Sequence, residues 1–113
     1  MMDVRIMADS VLSRIIEVIV GSLDPDAIIL FGSRARGNAR EDSDFDICIL
    51  KTNISDRRKI ARSLYRALYS VGAPVELIVE TPDSFNKFKD NPHLIYREIA
   101  RYGKVVYEKP HPG

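Results

Sequence analysis

The sequence has a single cysteine, Cys48, no tryptophan and no long apolar run. One thiol cannot build an internal disulfide framework, and it suits a reducing compartment. A membrane-spanning helix needs roughly 20 consecutive apolar residues, and no run of that length is present. Acidic Asp3 and Asp9, without a compact apolar stretch near them, argue against a secretory signal. We therefore expect a cytoplasmic protein that does not enter a membrane.

An excess of charge of either sign is also missing, because 17 lysines and arginines face 16 aspartates and glutamates. Total charge therefore gives no reason to expect direct nucleic-acid binding, and only local clusters can carry an electrostatic argument. At 113 residues the chain is long enough for one hydrophobic core. We expect a single domain over residues 1–108 and a frayed tail over residues 109–113.

The apolar pattern predicts helices that alternate with short strands. The predicted strands are 27–31, 45–50, 75–80 and 104–107. The predicted helices are 10–20, a short helix within 32–43, 56–71, one from Thr81-Pro82 onward and one from Asn91-Pro92 to about Tyr102. Asn53 or Ser55 is expected to cap the 56–71 helix. This order predicts an α/β fold, a small mixed sheet of about four strands flanked by helices.

The segment from residue 45 to residue 80 has the order strand, helix, strand. Such a crossover is right-handed and makes its two strands parallel. The starts of both strands then lie at the same end of the sheet, and so do Asp46 and Glu76.

Gly32-Ser33 follows the apolar strand 27–31 and opens a polar turn. Glycine lets the backbone approach a ligand closely, and free N–H groups at a helix start favour phosphate. A plain strand-to-helix turn with serine as its cap is the commoner explanation of the pair taken alone.

Asp44 and Asp46 share one face of the next strand, because side chains alternate along a strand. Two carboxylates on one face suit Mg²⁺, which prefers oxygen ligands and binds phosphates beside them. A solvated strand end would also explain Asp44. It explains Asp46 poorly, because an apolar strand follows that residue directly.

Glu76 interrupts the apolar strand 75–80 beside the predicted position of Asp46. A third carboxylate there would complete a metal site or accept a proton from an attacking hydroxyl. A salt bridge to a nearby arginine is an equally good explanation of Glu76 taken alone.

Gly32-Ser33, ten further residues and then Asp44-Phe45-Asp46 resemble the signature of the polymerase-β-like nucleotidyltransferase superfamily. The run from Ser33 to Gly37, the serine at position 43 and the ending from Asn91 to Tyr107 resemble its minimal nucleotidyltransferase group. Glu76 departs from the pattern, since many members have aspartate there.

The resemblance implies a role for each matching residue. Gly32 and Ser33 would hold the triphosphate of ATP, and Asp44 and Asp46 would bind Mg²⁺. Glu76 would assist one metal ion or act as the base.

The resemblance leaves the three arginines of this region less closely defined. Arg36 would contact a phosphate or brace the aspartate pair. We interpret Arg34 and Arg40 as surface partners of the neighbouring acids.

The implied reaction is transfer of AMP from ATP to a hydroxyl. Because the catalytic core accounts for nearly the whole chain, we expect a partner to supply the acceptor. Stand-alone minimal nucleotidyltransferases resemble antitoxins that silence HEPN-domain ribonuclease toxins by modifying a toxin tyrosine.

Two alternatives remain open at the level of sequence. The first is an antitoxin or accessory subunit that binds its partner without catalysis, which the helix-spaced Arg58, Arg62 and Arg66 would favour unless they are merely solvated. The second is a nucleotidyltransferase acting on small molecules such as aminoglycosides, working as a homodimer.

Overall fold

A computed structural model describes residues 4–110, and the side chains of residues 10–110. The strands are β1 (Ala27–Phe31), β2 (Phe45–Leu50), β3 (Val75–Glu80) and β4 (Lys104–Glu108). The helices are α1 (Val4–Leu23), α2 (Gly32–Arg36), α3 (Arg57–Leu68) with a 3-10 turn at Tyr69–Val71, α4 (Pro82–Phe88) and α5 (Ile95–Tyr102). No helix in the described part of the chain is both long and apolar enough to span a membrane.

The four strands form one mixed sheet in the order β3-β2-β1-β4. β2 and β3 are parallel, as the crossover predicts, whereas β1 runs antiparallel to both β2 and β4. The parallel register places Asp46 opposite Glu76, and the antiparallel register places Asp46 opposite Phe31. The predicted α/β class, with a four-stranded mixed sheet flanked by helices, is confirmed.

Each face of the sheet carries its own hydrophobic cluster. On one face, side chains of α1 and α3 such as Ile15, Ile19 and Leu64 pack on alternate strand residues. On the other face, Phe85 of α4 and Ile99 of α5 pack on the remaining ones. β1 is therefore buried on both sides, as its uninterrupted apolar sequence predicts.

Several helix boundaries differ from the predictions, and α1 begins at Val4 instead of residue 10. α1 continues through Gly21 to Leu23, because one glycine costs a packed helix only about 1 kcal/mol. The cap of α3 is Asp56, whose carboxylate accepts from the Lys59 N–H, and not Asn53 or Ser55.

α5 begins at Ile95 and not at Asn91-Pro92. The side chain of Asn91 accepts a hydrogen bond from the backbone N–H of His93, which makes a local turn there. This turn satisfies the backbone without a helix.

Lys109, which the sequence analysis assigns to a frayed tail, is held in place. Its backbone N–H donates to the Asp26 carbonyl at 2.9 Å, and its ammonium group pairs with the Asp24 carboxylate at 2.9 Å. These contacts carry the ladder one residue past β4. Residues 111–113 of the predicted tail lie outside the described residues.

Candidate active site

Gly32 and Asp46 are in direct contact at one end of the sheet. β1 ends at Phe31, and Gly32 then adopts a left-handed backbone with φ of 72°. A β-carbon at position 32 would collide with the Asp46 carboxylate. Only glycine therefore lets the turn after β1 lie against this acid.

Three other carboxylates influence Asp46, which is half-buried near the start of β2. Burial raises the pKa of Asp46, and the negative charges of Asp44, Glu76 and Glu98 raise it further. Like charges that converge on one acid resist its ionisation unless a cation offsets them. The sequence predicts this convergence for Asp44 and Glu76 but not for Glu98.

The positions of Asp44 and Glu76 are those that the predicted topology requires. Glu76 lies opposite Asp46 in the parallel register, and Asp44 comes just before β2; both side chains are exposed. Among the side chains that the structure describes, no three acidic, histidine or cysteine groups are grouped tightly enough to hold a metal ion. Joint metal binding by Asp44, Asp46 and Glu76 therefore stays a prediction.

Arg34 fastens the loop that precedes the aspartate pair. Its guanidinium donates to the Ser43 carbonyl at 2.7 and 3.0 Å and to the Glu41 carbonyl at 3.2 Å. The same group lies over the Phe45 ring, 4.0 Å from its centroid. The interpretation of Arg34 as a surface partner of acidic side chains is wrong, because it binds backbone carbonyls and an aromatic face.

Arg36, the predicted phosphate or bracing arginine, pairs with Glu98 of α5 at 3.3 Å. Both side chains are partly exposed, so the pair can exchange for another partner at little cost. Sequence reasoning does not identify Glu98, because nothing near it in the chain suggests that α5 faces β2. Its approach to Asp46 depends on how α5 packs against the sheet.

The acids near Asp46 carry oxygen ligands of the type that suits Mg²⁺, although no three of the described acids converge tightly in this structure. Asp46 is half-buried under the repulsion of neighbouring acids, and a divalent cation would relieve that repulsion. Carboxylate oxygens are the ligands that Mg²⁺ takes in phosphate-handling sites.

The far end of β3 holds a different acid, Glu80, which is buried and fully partnered. It pairs with Arg57 at 2.7 Å and accepts from the Tyr96 hydroxyl at 2.7 Å and from the Thr81 N–H at 2.9 Å. This cluster joins α3, β3 and α5, so we interpret it as structural. Burial raises the pKa of the Cys48 thiol to about 12, so this thiol is unreactive at neutral pH.

A comparison with protein families identifies the family of this chain. Residues 13–112 match the sequence profile of the family described as Polymerase beta, Nucleotidyltransferase. The chain belongs to this nucleotidyltransferase family. The resemblance to the polymerase-β-like superfamily and to its minimal nucleotidyltransferase group is confirmed.

Two relatives of similar sequence are both named as protein adenylyltransferases. The chain is 38% identical over 80 residues to the inferred protein adenylyltransferase MJ0604 of Methanocaldococcus jannaschii, an alignment that covers 71% of this chain and 76% of MJ0604. It is 33% identical over 85 residues to the protein adenylyltransferase MntA of Aphanizomenon flos-aquae, covering 74% of this chain and 57% of MntA. The chain thus spans little more than half the length of MntA.

A solved structure shares the fold. A chain in a crystal structure of a toxin–antitoxin pair with AMP-PNP superposes with a TM-score of 0.59 at 23% identity, covering 86% of this chain and 73% of that one. At this level of identity the likeness establishes the architecture.

Proposed function

We propose that this protein is a Mg²⁺-dependent adenylyltransferase that moves AMP from ATP to a hydroxyl group of another protein and releases pyrophosphate. The observation that carries the proposal is the contact of Asp46 with Gly32. It brings a turn suited to phosphate against an acid on which three further carboxylates converge. A phosphate-binding turn beside clustered acids is the arrangement that metal-assisted phosphoryl chemistry needs.

In this proposal each residue of the site has a role. The backbone of Gly32 and the hydroxyl of Ser33 hold the triphosphate, and Arg36 leaves Glu98 to contact a phosphate oxygen. Asp44 and Asp46 hold Mg²⁺, which would supply positive charge against the developing charge of the transferring phosphate. Glu76 lies opposite Asp46 and is exposed, so it can accept the proton of an incoming hydroxyl.

The acceptor is proposed to be a tyrosine of a HEPN-domain toxin, with this chain as its antitoxin. Support comes from relatives named protein adenylyltransferase and from the toxin–antitoxin pair that shares the fold. The chain itself supplies the nucleotide half of the chemistry, since every residue assigned above acts on phosphate, metal or the incoming proton. The acceptor hydroxyl then comes from the partner.

Labelled ATP tests the reaction directly. The purified protein is incubated with ATP labelled in the α-phosphate, Mg²⁺ and a HEPN-domain protein from the same genome. We expect label on the HEPN-domain protein, none after chelation of Mg²⁺, and none with Asp46→Asn. Asp42→Asn is the matched control, because Asp42 is an exposed acid of the preceding loop. Equal labelling by Asp46→Asn and wild type would reject the mechanism.

A second candidate is an antitoxin that masks its partner by binding alone. The observation that favours it is α3, which holds five of the chain's 17 lysines and arginines and none of its 16 acids. Neutralisation of the partner by Asp44→Ala plus Asp46→Ala, at wild-type level, would favour this candidate over catalysis.

A further inference from the structure

Exposed apolar side chains meet at one groove on the surface. Of the seven large apolar side chains that the structure describes as exposed, three line this groove: Leu94, Ile95 and Tyr102. Scattered single apolar residues are normal on a protein surface, whereas a group of them marks a binding region.

The groove lies on the outer side of α5, and we call it the α5 groove. It has a volume of about 330 Å³ and is lined by residues 92–95 and by Arg97, Glu98, Arg101 and Tyr102. Leu94, Glu98 and Tyr102 recur at intervals of four, so they form one stripe of the helix. The other side of α5 packs against the hydrophobic core, where Ile99 is buried.

The α5 groove borders the candidate active site through a shared residue. Glu98 lines the groove, pairs with Arg36 at 3.3 Å, and acts electrostatically on Asp46. Anything seated in the groove therefore lies beside the acids, with Glu98 between the two.

The charges of the groove point to the chemistry of its occupant. Arg97 and Arg101 both line it, and the one acid there, Glu98, is already paired with Arg36. A surface of exposed aliphatic groups, an exposed tyrosine and arginine has the composition of a protein-interface hot spot. Its complement is an apolar segment with acidic neighbours.

We propose that the α5 groove is the docking surface for the acceptor protein, which seats an apolar, acid-flanked segment there and presents its hydroxyl to the site past Glu98. This inference rests on the proposed function, because it assumes that the acceptor belongs to a protein. It assigns the second half of the active site to a partner that α5 positions. The basic face of α3 is then a solvated face.

Two substitutions in the groove and two matched substitutions elsewhere test the proposal. Tyr102→Asp and Arg101→Glu change exposed groove residues. Tyr69→Asp and Arg62→Glu make the same chemical changes on exposed residues of the α3 region. The HEPN-domain protein used as acceptor is varied in concentration while AMP transfer is measured, and ATP affinity is titrated without it.

For each groove variant we expect the KM for the acceptor to rise about tenfold, which corresponds to about 1.4 kcal/mol of lost interface energy. The kcat and the Kd for ATP should stay within about twofold of wild type, and both controls should stay within the same range for all three quantities. Groove variants that change KM no more than their controls would overturn the proposal. If the groove variants lose as much affinity for ATP as for the acceptor, the proposal is overturned and the groove binds the nucleotide. If the two control variants raise the KM for the acceptor, the docking surface lies on α3.

A direct binding assay separates this proposal from the proposed function. If wild type binds the HEPN-domain protein but transfers no AMP, the proposed function fails, and docking is judged from the Kd of the same four variants, with the same tenfold expectation. If wild type does not bind that protein at all, docking in the groove is rejected as well.

Discussion

The carboxylate of Asp46 occupies the space that a β-carbon on Gly32 would need. Gly32 directly follows the last residue of β1, and Asp46 is the second residue of the adjacent antiparallel strand β2. The glycine of the turn and the acid of the strand are therefore one structural unit. The spacing between them along the sequence reflects the loop needed to bring β2 back beside β1.

Replacing Gly32 by alanine should slow AMP transfer by about two orders of magnitude, because the new methyl group displaces the Asp46 carboxylate. Displacing a catalytic group by about 1 Å costs on the order of 100-fold in rate. Gly37→Ala is the matched control: Gly37 also has a positive φ, of 80°, but a β-carbon there meets nothing within 4 Å. Alanine with a positive φ strains the backbone by about 1–2 kcal/mol in both variants. Equal losses of activity would therefore mean that backbone strain, and not displacement of Asp46, lowers the rate.

Replacing Arg34 by lysine should lower kcat at least tenfold and change the Kd for ATP little. Lysine keeps the charge but cannot donate to the Ser43 and Glu41 carbonyls at once while covering the Phe45 ring. The loop that sets Asp44 and Asp46 then loses its brace. Arg40→Lys, on an exposed arginine of the same loop, should leave steady-state kinetics unchanged. A kcat for Arg34→Lys within twofold of wild type would contradict this role.

In the absence of metal, Asp46→Asn should melt at a higher temperature than wild type at pH 7. The folded protein raises the pKa of Asp46, so ionisation of this acid disfavours folding at any pH above its folded pKa. The penalty disappears as the pH falls through the folded pKa towards the unfolded value of about 3.9, where the advantage of asparagine should vanish.

Added Mg²⁺ should reverse the order of these two proteins at pH 7. A ligand that binds only the folded state raises its stability, and Asp46→Asn lacks the charge to bind it. Thermal melts of wild type, Asp46→Asn and Asp42→Asn, with and without Mg²⁺, provide the measurement. A lower melting temperature for metal-free Asp46→Asn would show that the carboxylate stabilises the fold.

Replacing Tyr96 by phenylalanine should destabilise the protein by about 1–3 kcal/mol without changing activity per folded molecule. The buried Glu80 carboxylate would lose one of its hydrogen bonds, and an unsatisfied buried acceptor costs that much. Glu80 lies four residues beyond Glu76 along β3, about 13 Å away, so the site should be unaffected. Urea denaturation gives the stability, and a parallel kcat measurement checks the site. A large loss of kcat would show that this cluster also acts on the site.

The sheet was predictable from sequence because three of its strands are short apolar runs bounded by turn residues. Ala27–Phe31, Phe45–Leu50 and Val75–Glu80 have the predicted bounds, since each is a short apolar run between turn residues. The crossover rule then placed Asp46 and Glu76 at the same end of the sheet, and the observed register sets them opposite each other. Local periodicity and one handedness rule were sufficient for this part of the fold.

The parts that sequence missed depend on contacts between distant residues. Arg34 and Arg40 differ little in local sequence, and only folding shows which one reaches the Ser43 carbonyl. Glu98 acts on Asp46 because α5 packs across the sheet, which no motif records. Asn91-Pro92 has a helix-start pattern, but the asparagine side chain closes a turn there.

The central claim is that the acids around Asp46 transfer AMP to a partner protein, and the intact mass of that partner tests it most directly. The HEPN-domain protein of the same genome is co-expressed with wild type, with Asp46→Asn or with Asp42→Asn, then purified and weighed by mass spectrometry. We predict a gain of one or more AMP units, localised to tyrosine, with wild type and with Asp42→Asn, and an unmodified mass with Asp46→Asn. An unmodified partner in the presence of the wild-type protein would contradict the account.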